Sequence, residues 1–198
     1  MSRPKTFSNA QIAERAMAHF WREGFYAASI DALVQDIGVS RHALYSAYGD
    51  KEGVFIAALG AYVNSVVTPA FGVVEQDDAG LDDIAEFFAR QIRAAEGFGF
   101  PGPGCFLANT MVESRSQDLA FRRIVDAHLA RQKAGFRHAL ANEAARRSID
   151  HAPVDELAQY LTISAQGLWS YARHAASSAP LWAFRDHLIA AVEERITP

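Results

Sequence analysis

Cysteine is almost missing from this chain: one residue, Cys105, in 198. A single thiol forms no internal disulfide, so an apolar core must hold the fold, and a reducing compartment is expected. No run of about 18 apolar residues occurs, so no membrane span is expected. The opening stretch MSRPKTFSNAQ carries charge but lacks an apolar centre, which argues against a secretory signal. Seven histidines lie scattered at 19, 42, 128, 138, 151, 174 and 187, with no His/Cys pair at ligand spacing, so no metal site is expected. G-x-S-x-G and the P-loop are absent, and GFGFPGPG at 97–104 follows a helical pattern rather than a strand. Cys105 and His128 are a candidate dyad that no third residue orients. No catalytic residue and no cofactor are assigned, and the chain is not read as an enzyme. Strand-like alternation is missing too, which leaves an all-α fold. Hydrophobic residues make up 50% of the chain, enough for a sizeable core.

What is present is concentrated in residues 29–51, SIDALVQDIGVSRHALYSAYGDK. Ser29 suits a helix N-cap, and Asp31 suits the positive end of the helix dipole. Ile30, Leu33, Val34 and Ile37 recur at helical spacing and give one buried face. Gly38 stops the helix, Val39 plugs the corner, and Ser40 caps a second helix. Gly49-Asp50 ends that one, and Asp50 caps a third starting at Lys51. Two short helices joined by a Gly-containing turn form a helix-turn-helix. In that motif the second helix enters the major groove of DNA with its early residues against base edges. Here those residues are Arg41 and His42, and arginine pairs bidentately with guanine. Ser29, Ser40, Tyr45, Tyr48 and Lys51 are candidate phosphate contacts, and the helix start at Lys51 is a candidate anion site. The same motif also occurs in proteins that never meet DNA, where Tyr45 and Tyr48 would be core aromatics and Arg41 and Lys51 solvated charges.

The N-terminal run resembles the TetR family of bacterial transcriptional repressors. Gly24-Phe25, Ser29-Ile30, Gly38-Val39-Ser40, Leu44-Tyr45 and Lys51-Glu52, followed by Val54, Phe55 and Leu59, match in order and spacing across roughly residues 8 to 60. Val34, Ala47 and Tyr48 depart from the family's usual Ala, His and Phe; the missing His removes one phosphate contact. The resemblance implies a homodimer that reads a near-palindromic DNA operator in the bacterial cytoplasm and is released when a small effector binds the C-terminal part. Repression is the family default, and activation stays open. The expected division is 1–51 for a three-helix DNA-binding module and 52–198 for a larger helical effector-binding and dimerisation domain, about nine helices in all.

Charge supports this division weakly. Residues 1–51 hold six Lys/Arg and five Asp/Glu, while the remainder holds 13 and 18. Specific binding must then rest on local charge placement. Arg3 and Lys5, on an N-terminal arm, are candidate minor-groove or phosphate contacts; a solubilising tail is the plainer reading. Further along, Pro69 should kink or end the helix begun at Lys51, and the Gly/Pro loop at 97–104 excludes regular structure. Helical patterns follow over Leu81–Glu96, Cys105–Ser114, Asp118 to about Arg147, Val154–Ala176 and Leu181–Ile196.

The last two helices are apolar over a wide arc, and Leu161, Gly167, Trp182, Leu188 and Val192 are the expected dimer contacts. An effector pocket, apolar with a few polar groups, is expected among Phe88, Cys105, Asn109, Glu113, Phe121, His128, Gln166 and Trp169. The effector is expected to be apolar or aromatic; each polar candidate also reads as an ordinary core or surface residue. The segment GCFLANTMVE at 104–113 resembles a Gly-Cys-leading segment of one C-terminal subgroup, some of whose members sense electrophiles or oxidants through a cysteine. Cys105 at a helix N-terminus would have a lowered thiol pKa, so an electrophile sensor is the alternative. The plainer reading is a small buried residue. The rival class is an all-α carrier or enzyme that keeps an inactive DNA module.

Overall fold

A computed structural model describes residues 7–115 and 118–196. Among these residues there are nine helices and no strands: α1 Asn9–Glu23, α2 Ile30–Ile37, α3 Arg41–Tyr48, α4 Lys51–Phe71, α5 Leu81–Phe98, α6 Phe106–Glu113, α7 Leu119–Arg146, α8 Val154–Ala172 and α9 Ala179–Arg195. Arg3 and Lys5 lie outside the described residues.

The N-terminal helices start where side-chain oxygens replace missing amide partners. Ser8 and Gln11 form a reciprocal capping box. Ser29 caps α2 through Ala32 N–H, Ser40 caps α3 through Ala43 N–H, and Asp50 caps α4 through Gly53 N–H at 2.8 Å. Gly38 ends α2 at φ +73°, a left-handed conformation that a side chain would disfavour.

Helix α4 is the axle of the molecule. By length and composition it could cross a membrane. It contains Lys51, Glu52, Asn64 and Ser65, however, and its apolar residues Val54, Phe55, Ala58, Leu59, Tyr62, Val67 and Phe71 are buried in the protein. Helix α1 packs along it from the N-terminal side, and α5, α6 and α7 flank it from the other. Pro69 does not end this helix. Its ring and missing N–H are accommodated by a wider π-helical turn over Val63–Val67, and the helix runs on to Phe71. One continuous core joins Ile12 to Ile196 through edge-to-face aromatics, with Phe20, Phe25, Phe106 and Phe121 all around Phe55.

Three of the expected dimer contacts point inward. Leu161, Leu188 and Val192 are fully buried within the chain's own core. Trp182 is half-buried and donates to Glu96 at 3.0 Å; only Gly167 is exposed. Helices α8 and α9 are apolar on more than one face, and periodicity cannot say which face a chain keeps for itself. The face left outside carries Tyr160, Ile163, Gly167 and Tyr171 on α8 and Phe184 on α9.

Leu161→Ala should therefore lower stability by about 2–5 kcal/mol in urea unfolding, the usual cost of an emptied core site. A loss under about 0.5 kcal/mol would place this side chain outside the core.

Candidate nucleic-acid interface

Helix α3 is anchored by Leu44, which is completely buried, and displays the rest of its first turns to solvent. Arg41, His42 and Tyr45 are all exposed, flanked by the exposed caps Ser29 and Ser40. Arg41 forms an ion pair with Asp31 of α2. Both partners are open to water, so the pair contributes little and a guanine or phosphate can replace the carboxylate. Behind this surface, His19 Nδ1 lies 2.6 Å and Arg22 2.8 Å from Asp36, pinning α2 against α1. The two contacts hold the Asp36 carboxyl below its usual pKa.

Two predicted contacts turn away from this surface. Tyr48 donates its hydroxyl to the Asn9 carbonyl and is half-buried, which raises its phenol pKa. The ammonium of Lys51 sits 4.6 Å above the Phe25 ring, where burial lowers its pKa against the opposing pull of Glu113. At the start of α4, where an anion site was expected, the capping carboxylate of Asp50 accepts Gly53 N–H and places a negative charge. The sequence pattern marked both residues as polar tips near a helix end. It could not show that α1 and the 24–26 loop lie within their reach.

That loop carries the join between the DNA-facing head and the body. Glu113, the last residue of α6, accepts Phe25 N–H at 3.0 Å and Tyr26 N–H at 2.8 Å. Gly24 makes room for it at φ +78°, because an added Cβ would come within 2.7 Å of the carboxylate. Tyr26 donates its hydroxyl to Asp118, and the Arg115 guanidinium covers the Tyr26 ring at 3.9 Å. A second tie runs from Trp21 Nε1 to the Gly104 carbonyl at 3.1 Å. Glu113 was expected in a ligand pocket; it is a clamp on backbone amides. Phe121 is corrected in the same way. It packs on Phe25 and Phe55 at 4.8 and 4.7 Å.

The remaining pocket candidates divide. Cys105, His128 and Trp169 do line one buried cavity, together with Tyr62, Gln91 and Gln132. Phe88 stacks on Phe136 inside the core, and Asn109 donates to the Pro103 carbonyl at 2.9 Å. Gln166 lies beyond the cavity wall, donating to Gln132 at 2.9 Å. The cavity holds about 20 Å³, the room of roughly one water molecule. Cys105 is 2% exposed. Burial pushes its thiol pKa up, outweighing the bonds from Tyr62 and from the Ala108 and Leu107 amides that favour the thiolate. The expected lowering at a helix start is thus overturned, because the helix end is inside the protein rather than at its surface.

His128 is 6% exposed, and its Nε2 has no hydrogen-bond partner among the described residues. Burial, helped by the nearby Arg131, lowers its pKa from 6.5 to about 4. Between these values the unfolded chain binds the proton and the folded chain does not. Stability is therefore full above about pH 6.5 and falls as pH drops toward 4. The loss from this group should be about 3 kcal/mol, measured by denaturant unfolding across that range. His128→Leu should remove this part of the slope; an unchanged slope would contradict the assignment.

The sequence matches two family models. Residues 12–58 match the family described as bacterial regulatory proteins, tetR family, and residues 80–188 match the tetracyclin repressor-like C-terminal domain. The chain is 29% identical over 179 residues to the HTH-type transcriptional repressor ComR of Escherichia coli strain K12, covering 88% of this chain and 84% of that protein. Its fold is similar to that of a cysteine mutant of the TetR family transcriptional regulator CifR complexed with 26-bp operator DNA. The TM-score is 0.78 at 24% identity over 98% of both chains. A TetR transcriptional regulator from Chloroflexus aurantiacus gives a TM-score of 0.81 at 23% identity over 94% of both chains. With the C-terminal match alone spanning more than half of the sequence, the chain belongs to the TetR family and is a DNA-binding transcriptional regulator.

Proposed function

We propose that this regulator is a repressor that binds a near-palindromic operator as a homodimer and lets go when a small effector enters the body. The observation that carries the reading is the placement of α6. Its first turn follows Cys105 in the cavity wall, and its last residue, Glu113, holds the amides of the loop leading into α2. A molecule that enlarges the cavity displaces the start of α6, and the displacement reaches the head through Glu113.

The base-reading surface is Arg41 and His42, with Ser29, Ser40 and Tyr45 toward the phosphates. Two-fold reading needs a second copy. The outer face of α8 and α9 suits it: Tyr160, Ile163, Tyr171 and Phe184 are exposed apolar side chains, and nothing lies within 4 Å of a Cβ built on Gly167. A shallow apolar groove of about 350 Å³ runs between Leu168, Tyr171, Pro180 and Phe184 on the same face. Repression is supported by the similarity to ComR, a transcriptional repressor. A bacterial cytoplasmic location follows from the same reading. Burial of Cys105 disfavours direct electrophile sensing.

Selection of random-sequence DNA by the purified protein should recover an inverted repeat. Arg41→Ala should then relax base preference at one position of each half-site by about 1–3 kcal/mol. Recovery of no enriched site at low salt would overturn the operator reading. Equal weakening on every sequence would remove Arg41 from base reading.

A further inference from the structure

The buried cavity behind Cys105 has a wall chemistry that narrows the effector, given the effector reading above. None of its described lining residues is Asp, Glu, Lys or Arg. Its polar groups are the side chains of Tyr62, Gln91, Cys105, His128 and Gln132 and the indole N–H of Trp169. The nearby cation, Arg131, is held outside by Glu75 through two bonds of 2.6 Å and by Thr68 at 2.9 Å. A carboxylate or ammonium ion entering here would give up its hydration with no opposite charge to meet.

One polar atom in this wall is left over. His128 Nε2 is buried without a partner among the described residues, although buried polar groups are nearly always paired. A ligand with one hydroxyl, amide or carbonyl group satisfies it, because neutral imidazole presents a donor or an acceptor according to tautomer. The rings nearby favour a flat body. Trp169 lies 6.2 Å from His128, and Phe87 meets Trp169 edge-on at 6.3 Å.

At about 20 Å³ the cavity is too small for a ring. A second cavity of about 50 Å³ adjoins it and shares Tyr62, Val66, Gln91 and Trp169 as a common wall. The hydrogen bond from Trp169 Nε1 to Gln91 at 3.2 Å lies in that wall. The second cavity extends to Trp21 and Gly104, the residues of the second tie between head and body. We infer that the effector is an uncharged molecule with a flat apolar body and one hydrogen-bonding group, which pairs with His128 and merges the two cavities. A molecule filling both presses on the Trp21–Gly104 contact.

The test uses three probes built on the same ring: benzyl alcohol, benzoate and benzylammonium. Binding is read from the ring signals of His128 in NMR titrations of the full chain, and operator affinity is measured alongside. Benzyl alcohol should shift the His128 signals and bind at least about tenfold more tightly than either ion. His128→Leu, followed through the indole signal of Trp169 in the same cavity wall, should weaken benzyl alcohol about tenfold; if that variant misfolds, the His128 signals of the wild-type protein still decide. Binding of either ion as tightly as the alcohol, or no shift with any probe, overturns the inference. Benzyl alcohol that binds without changing operator affinity upholds the ligand class and sinks the effector reading. An ion that binds at His128 and releases DNA does the reverse.

Discussion

The carboxylate of Glu113 accepts two consecutive backbone N–H groups, those of Phe25 and Tyr26, and the placement of the DNA-reading helices depends on this grip. Hydrogen bonds to a charged acceptor contribute about 1.5–3 kcal/mol each, more than neutral ones. Several other features take their sense from it. Gly24 lacks a side chain where the carboxylate comes closest. Lys51 leans over Phe25 toward the same charge rather than toward DNA. Arg115 and Asp118 secure Tyr26 from the far side. The loop that feeds α2 is therefore positioned by the body of the protein and not by the head alone.

The rest of the architecture makes that loop a junction. Helix α4 belongs to both halves: its N-terminal residues pack under the helix-turn-helix, and Tyr62 reaches the cavity behind Cys105. Because the core is continuous and dense, a displacement at one end is carried through packed side chains rather than absorbed. The surface that reads DNA is by contrast lightly held. Among the described residues Arg41 is tied to the exposed Asp31, a pair weak enough for another partner to replace. A rigid link behind a loosely held surface suits the release proposed above, in which the body sets the position of the head.

Much of the fold was legible because its signals are local. Ser29, Gly38 and Ser40 announce helix ends through hydrogen bonds within a few residues, and the apolar periodicity of α1, α2 and α5 marks single buried faces. The exposure of Arg41, His42 and Tyr45 was legible for the same reason: they follow a cap and do not join the apolar stripe. Legibility ended where the decisive contact spans the chain. Glu113 meets residues 87 and 88 positions away, and Tyr48 reaches back 39 to Asn9. No spacing rule encodes such a meeting. Leu161 and Val192 were misplaced because a helix with two apolar faces carries no mark for which one is internal. For Cys105 the plainer reading, a small buried residue, is the one that fits, and the alternative of a lowered thiol pKa fails because burial outweighs the helix N-terminus.

The account stands most directly on the amides of Phe25 and Tyr26. Their hydrogen exchange should be slow in the wild-type protein. In Glu113→Ala both amides should lose that protection while the core of α1 keeps its own. Equal exchange at these two amides in the wild-type and substituted proteins would mean that Glu113 does not hold the loop, and the link between cavity and DNA-reading head would have to be sought elsewhere.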